Sequence, residues 1–169
     1  MADILLINTG GTFNKRYDEI RGELYVAADE QALEAILAEF RGNLDVRLLG
    51  LLHKDSLEMT DTDRALIAGR IRAAEESRVL VVHGTDTMHL SAAYLATRCP
   101  DRRIVLTGAM KPYAYAPQEA SMNLALCIGW LGAATTPGVF IGMHGLVLPY
   151  TDIAKDREHG VFRSRVNGP

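Results

Sequence analysis

Residues 3–12 read DILLINTGGT. The apolar run inside this stretch does not alternate with polar residues, as expected of a strand buried on both faces of a parallel sheet. It ends on two glycines bracketed by Thr9 and Thr12, and a polar segment follows instead of a helix. Four more runs share this character: DVRLLGLL (45–52), RVLVVHG (78–84), RIVLTG (103–108) and GVFIGMHG (138–145). Helical spacing fills the gaps between them. Ala32, Leu33, Ile36, Leu37 and Phe40 form one apolar stripe, and Leu66, Ile67, Ile71 and Ala74 form a second, with Thr60 and Asp63 placed like a variant capping box. MHLSAAYLATR (88–98) and SMNLALCIGWLG (121–132) read as two more helices. The β, α, β, α order predicts a doubly wound, mostly parallel α/β sheet of Rossmann or flavodoxin-like type, three layers deep, with right-handed crossovers.

The 169 residues, 48% of them hydrophobic, suit one domain over 1–169. A net charge of −3 with interspersed Lys, Arg, Asp and Glu gives no basic stripe, so nucleic acid is not expected as a partner. No apolar run approaches the roughly 20 residues of a membrane span. The opening MADILLINTGG carries an acidic residue in place of a basic leader, and the expected compartment is the cytoplasm. Cys99 and Cys127 fall at a helix end and in a helix interior, far from any metal-type spacing, and read as structural thiols. Residues 13–30 show no clear element and are too charged for core; a loop this long inside a domain reads as a lid. The closing SRVNGP resembles an interrupted linker.

Ligands of open α/β sheets bind beyond the carboxyl ends of the strands. Those ends supply Thr9, Gly10, Gly11 and Thr12; Lys54, Asp55 and Ser56; His83, Gly84, Thr85 and Asp86; and Gly108, Ala109, Met110 and Lys111. Such a set suits acyl transfer to a hydroxyl, with Gly10 and Gly11 letting backbone amides approach the substrate. Each part also has a plainer reading. TGGT alone fits a tight turn, and it is neither a G-x-G-x-x-G nor a P-loop motif. Thr85 and Asp86 fit a helix cap. His83, Asp86 and His89 need not converge on a metal, no G-x-S-x-G elbow supports a serine triad, and Lys111, Lys155, Tyr17 and Tyr25 are surface residues by default.

TGGTF, DSLEM, HGTDTM, GAMKP and DIAK, in this order and at these separations, resemble the N-terminal catalytic domain of bacterial-type L-asparaginases over nearly the whole chain. The resemblance implies hydrolysis of L-asparagine to L-aspartate and ammonia through a threonine nucleophile and an acyl-enzyme, with neither metal nor organic cofactor. It assigns Thr12 as nucleophile, Tyr25 as the lid tyrosine in preference to Tyr17, and Thr85, Asp86 and Lys155 as the second catalytic group. Asp86 would also grip the substrate α-ammonium and Ser56 its α-carboxylate, with Gly11, Asp55, Gly84, Ala109 and Met110 around them. A lysine serves as base only away from bulk solvent, so Lys155 is expected to be buried.

Two departures stand out. Leu57 and Glu58 follow Ser56 where many members place Gln or Ser, so one polar substrate contact is expected to be lost or rearranged. The second domain that usually follows the NGP region is missing from this sequence, which predicts a short, single-domain form with weaker substrate binding and a homodimer built on the remaining sheet and helices. Two other readings stay open at this point: an amino-acid-binding or regulatory module with little turnover, and an amidase for glutamine or another amide.

Overall fold

The computed structural model describes residues 2–166 of the chain; Asn167, Gly168 and Pro169, the end of the expected linker, lie outside the described residues. Strand β1 (Ile4–Gly10) leads into a one-turn 3-10 helix (Thr12–Asn14) and a hairpin, β2 (Lys15–Asp18) with β3 (Glu23–Val26). Helix α1 (Gln31–Ala38), β4 (Val46–Lys54), a second 3-10 turn (Ser56–Glu58), α2 (Asp61–Ala73), β5 (Arg78–Val82), α3 (Met88–Arg98), β6 (Arg103–Thr107), α4 (Pro117–Ala133) and β7 (Gly138–Met143) follow. The described chain closes with β8 (Leu146–Pro149), β9 (Ile153–Asp156) and β10 (Val161–Ser164).

The main sheet has the order β4-β1-β5-β6-β7-β8, with every pairing parallel except β7 with β8. Successive side chains of a strand face opposite ways, and both faces here meet helices. Leu5, Ile7, Val79, Val81, Ile104 and Leu106 pack under α2 and α3, while Ile4, Leu6, Leu80, Val82 and Val105 pack under α1 and α4. This is why the strand runs are continuously apolar, and it yields the expected three layers. Burying each such side chain contributes on the order of 1.5–3 kcal/mol. The capping box of α2 is present, with Thr60 accepting from the Asp63 N–H and Asp63 from the Thr60 N–H. Cys99 and Cys127 are free and buried, and burial pushes the Cys127 thiol up to about 12.

Three features depart from the sequence reading. Residues 13–30 are not an elementless loop, since β2 and β3 form an antiparallel hairpin in register from Lys15 with Val26 to Asp18 with Glu23. Its strands are short and solvated on both faces, which leaves no hydrophobic period to read. A second small hairpin, β9 with β10, carries the DIAK segment. Finally, β7 turns back into β8 through His144 (φ 52) and Gly145 (φ 86), a two-residue turn of the left-handed kind that hairpins favour. Among the described residues no helix is long and apolar enough to cross a membrane.

Candidate active site

From β1 the chain first crosses to β4 on one side and then returns to β5 on the other, so the order reverses between β1 and β5. That switch point is where open α/β sheets form their binding crevice. Gly11 (φ +78) stands there, and a Cβ on it would lie 2.5 Å from the Cα and N of Gly84. A Cβ on Gly84 would lie 2.5 Å from Ser56 Cβ and 2.7 Å from its Oγ. The Gly11 and Gly84 backbones are thus stacked on each other and Gly84 lies against the Ser56 side chain, a closeness that only glycine permits.

The Gly10 and Gly11 amides are themselves engaged within the domain. The Gly10 N–H donates to Asn8 Oδ1 (3.0 Å) and the Gly11 N–H to the Lys54 carbonyl (2.8 Å). Neighbouring amides, those of Thr12 and Thr85, make no hydrogen bond among the described residues.

A buried relay fixes Gly84. His83 is fully buried, its Nδ1 lying 2.8 Å from the Gly84 carbonyl and its Nε2 2.7 Å from Ser91 Oγ, which also accepts from Arg64 Nε (3.1 Å). A carbonyl can only accept, so Nδ1 carries the ring proton and the Ser91 hydroxyl donates to Nε2. Burial lowers the His83 pKa to about 4, and the ring is neutral near pH 7. With both nitrogens engaged, His83 has no free position for a metal, and among the described residues no group of three or more His, Cys, Asp or Glu is placed to hold one.

On the other side of Gly84 the polar groups converge. Lys155 Nζ donates to Thr85 Oγ1 and to Asp86 Oδ1, both at 2.8 Å. The Lys155 side chain is only 14% exposed, held by the β9–β10 hairpin against the start of α3. Arg157 joins the same carboxylate, its Nη1 lying 2.7 Å from Asp86 Oδ1 and its Nη2 donating to the Asp86 carbonyl at 3.0 Å. The hydrogen bond from Lys155, then Arg157, outweigh desolvation and hold the Asp86 carboxyl below its ordinary range. Asp86 Oδ2 has no hydrogen-bond partner among the described residues.

The remaining predicted residues lie around this group. Ser56 is buried, and its carbonyl accepts from Thr87 Oγ1 at 2.7 Å. Asp55 accepts from the Leu57 N–H (3.1 Å) and from Lys15 Nζ (2.7 Å); burial opposes its ionisation, but those two donors prevail and lower its pKa. Leu57 itself turns its side chain to solvent. The Thr12 hydroxyl makes no hydrogen bond among the described residues, and Tyr25, 43% exposed on β3 opposite Arg16, belongs to the hairpin and not to the Lys155 group. Tyr17, on β2, is exposed as well. Ala109 is buried beyond β6, and the Met110 and Lys111 amides donate to Glu119 at 2.8 and 3.1 Å.

The sequence profile of the asparaginase N-terminal domain matches residues 3–164. The chain belongs to the asparaginase family. It is 29% identical over 150 residues to a glutamyl-tRNA(Gln) amidotransferase subunit of Pyrococcus horikoshii and 30% identical over 150 residues to the corresponding protein of Pyrococcus abyssi. In both comparisons 86% of this chain is covered and 34% of the relative, so it spans about a third of their length. In fold it is similar to the thermostable L-asparaginase from Thermococcus kodakarensis (TM-score 0.82, 23% identity, 98% of this chain and 52% of that one). A probable cytoplasmic L-asparaginase from Campylobacter jejuni gives a TM-score of 0.80 at 24% identity, over 97% of this chain and 53% of that one.

Within this asparaginase-family domain, three site-shaping side chains escaped the sequence reading. Asn123 of α4 donates to the Gly108 carbonyl and accepts from the His144 N–H, both at 3.0 Å, and Glu119 holds His144 Nε2 at 2.9 Å. An asparagine inside the apolar run SMNLAL was the available signal, since a polar residue on a buried face needs partners. Arg157 gave no signal, because its surroundings, KDRE, read as a solvated charge cluster.

Proposed function

We propose that this domain hydrolyses the side-chain amide of L-asparagine to L-aspartate and ammonia. The observation that carries the reading is the Lys155, Thr85 and Asp86 group, mostly withdrawn from water and joined through Gly84 and Gly11 to the loop bearing Thr12. Thr12 Oγ bonds to the amide carbon, the carbon–nitrogen bond breaks, and ammonia leaves with the threonine proton. Water then adds to the acyl ester, and aspartate departs as Thr12 regains a proton. Thr85 and Lys155 carry protons in these steps, and Tyr25 assists when the β2–β3 hairpin closes over Thr12. The unengaged amides of Thr12 and Thr85 are suitable donors to the developing oxyanion. Ser56 receives the α-carboxylate and Asp86 Oδ2 the α-ammonium. No metal or organic cofactor enters this scheme.

The relatives named as amidotransferase subunits favour a second reading, in which the same acyl chemistry acts on glutamine or another amide. Ammonia release by the purified chain from L-asparagine and from L-glutamine, beside the Thr12→Ala variant, separates the two. The expected result is faster release from asparagine, abolished in the variant. Preference for glutamine favours the second reading, and binding of asparagine with no release in either protein favours a binding module. The scheme includes a homodimer, suggested by the exposed Met122 of α4 beside a surface cavity of about 610 Å³, and sedimentation velocity tests it.

A further inference from the structure

Asp86 Oδ1 receives two cations, Lys155 Nζ at 2.8 Å and Arg157 Nη1 at 2.7 Å. One carboxylate charge is therefore shared between two positive charges. Arg157 is held against this residue twice, since its other nitrogen donates to the Asp86 carbonyl. Its backbone is fixed as well. It begins the turn between β9 and β10, where Asp156 Oδ1 accepts from the Glu158 and His159 amides and Asp156 Oδ2 from Arg163 Nε. The small cavity beside Thr85 is lined further by His89, Lys155, Arg157 and Arg165, and no acidic side chain lines it. A cationic group arriving at Asp86 Oδ2 meets a carboxylate already compensated by two cations, with Asp55 the further carboxylate in electrostatic reach.

We propose that Arg157 is a specificity-determining residue that weakens the grip of Asp86 on a free α-ammonium, and so narrows the advantage of substrates that carry one over the same amide acids without that charge. The inference rests on the reading above, in which Asp86 faces the α-position of the substrate. The guanidinium is 62% exposed, so the α-ammonium of asparagine displaces or crowds it at modest expense. The weakening is therefore roughly two- to fivefold, the range of an exposed ion pair. An amide acid with no α-nitrogen, such as succinamate, escapes it.

The test compares the parent chain with Arg157→Ala and Arg157→Gln. Removing the charge lowers KM for L-asparagine relative to KM for succinamate by about two- to fivefold, while any change in kcat is shared by both substrates. Calorimetric affinities for the products L-aspartate and succinate read the same site without catalysis, and their ratio shifts toward aspartate by the same factor. A shift in that ratio without ammonia release from any amide sinks the proposed hydrolysis and leaves the role of Arg157 standing. Equal effects on both members of each pair, no effect on either, or no binding of either product overturns it.

Discussion

Gly84 concentrates the demands placed on single residues, because it touches Gly11 on one side and Ser56 on the other while its carbonyl receives His83. Gly84→Ala drives a methyl group into Ser56, and the adjustment is expected to destabilise the domain by about 1–3 kcal/mol. Thermal unfolding measures that loss, and a rise in KM for the amide substrate measures the displacement of Ser56. Lys155 makes a different demand. Lys155→Met keeps the volume but removes the donor to Thr85 and Asp86, and kcat is expected to fall by about 10²–10⁴, with KM much less affected. Equal effects on kcat and KM in steady-state kinetics count against Lys155 as a proton carrier. At this scale the sequence was legible where topology does the placing. Ser56, Thr85 and Asp86 follow strand ends, and a parallel sheet brings all such ends to one edge. Arg157 was illegible because its role comes from the tertiary contact of a hairpin turn with a helix start.

Whether an element could be read depended on where its stability comes from. The five parallel strands announce themselves as continuous apolar runs, and the four helices as apolar stripes at helical spacing. The β2–β3 hairpin is secured by polar contacts instead: Arg16 pairs with Asp29 through both terminal guanidinium nitrogens, Asn14 Nδ2 donates to the Ala27 and Asp29 carbonyls, and Lys15 reaches Asp55. Partners 13 to 40 residues away leave no local pattern. Helix α4 combines both modes, packing Leu124, Cys127, Ile128 and Leu131 beneath the sheet while Asn123 ties the ends of β6 and β7. Asn123→Ala leaves the Gly108 carbonyl and the His144 amide without this partner. The expected penalty is about 1–3 kcal/mol, or about 2–4 °C of Tm for each kcal/mol. Asn123→Asp retains only the acceptor and so restores the His144 contact alone, and differential scanning calorimetry of the two variants apportions the penalty.

Two buried groups at opposite ends of β5 make the whole molecule sensitive to acid. His83 at the end of β5 has its pKa lowered from 6.5 to about 4, so between these values the unfolded chain binds a proton that the folded chain refuses. Stability therefore falls as pH drops from 6.5 to 4, by up to about 1.4 kcal/mol per pH unit and about 3 kcal/mol in all. Glu76, just ahead of β5, accepts two hydrogen bonds from Arg47, at 2.6 and 2.7 Å, and this contact lowers its pKa from 4.5 to about 2. Its contribution is complete above 4.5 and is lost as pH falls to 2. The Arg47 side chain is 48% exposed, so solvent screening makes the contribution smaller than that of His83. Urea unfolding at a series of pH values is expected to show stability declining through both windows. His83→Gln should flatten the slope between 6.5 and 4, whatever its absolute stability, and Glu76→Gln should flatten only the slope between 4.5 and 2. An unchanged slope above pH 4.5 in His83→Gln would mean that His83 is not the group whose protonation opposes folding. The same protonation gives the Nδ1–H···O=C contact to Gly84 a charged donor but puts a second proton on Nε2, opposite a Ser91 hydroxyl that already receives Arg64. Acid is thus expected to disturb the Ser91 side of the relay first, and loss of amide-exchange protection at the start of α3 should precede global unfolding as pH falls toward 4.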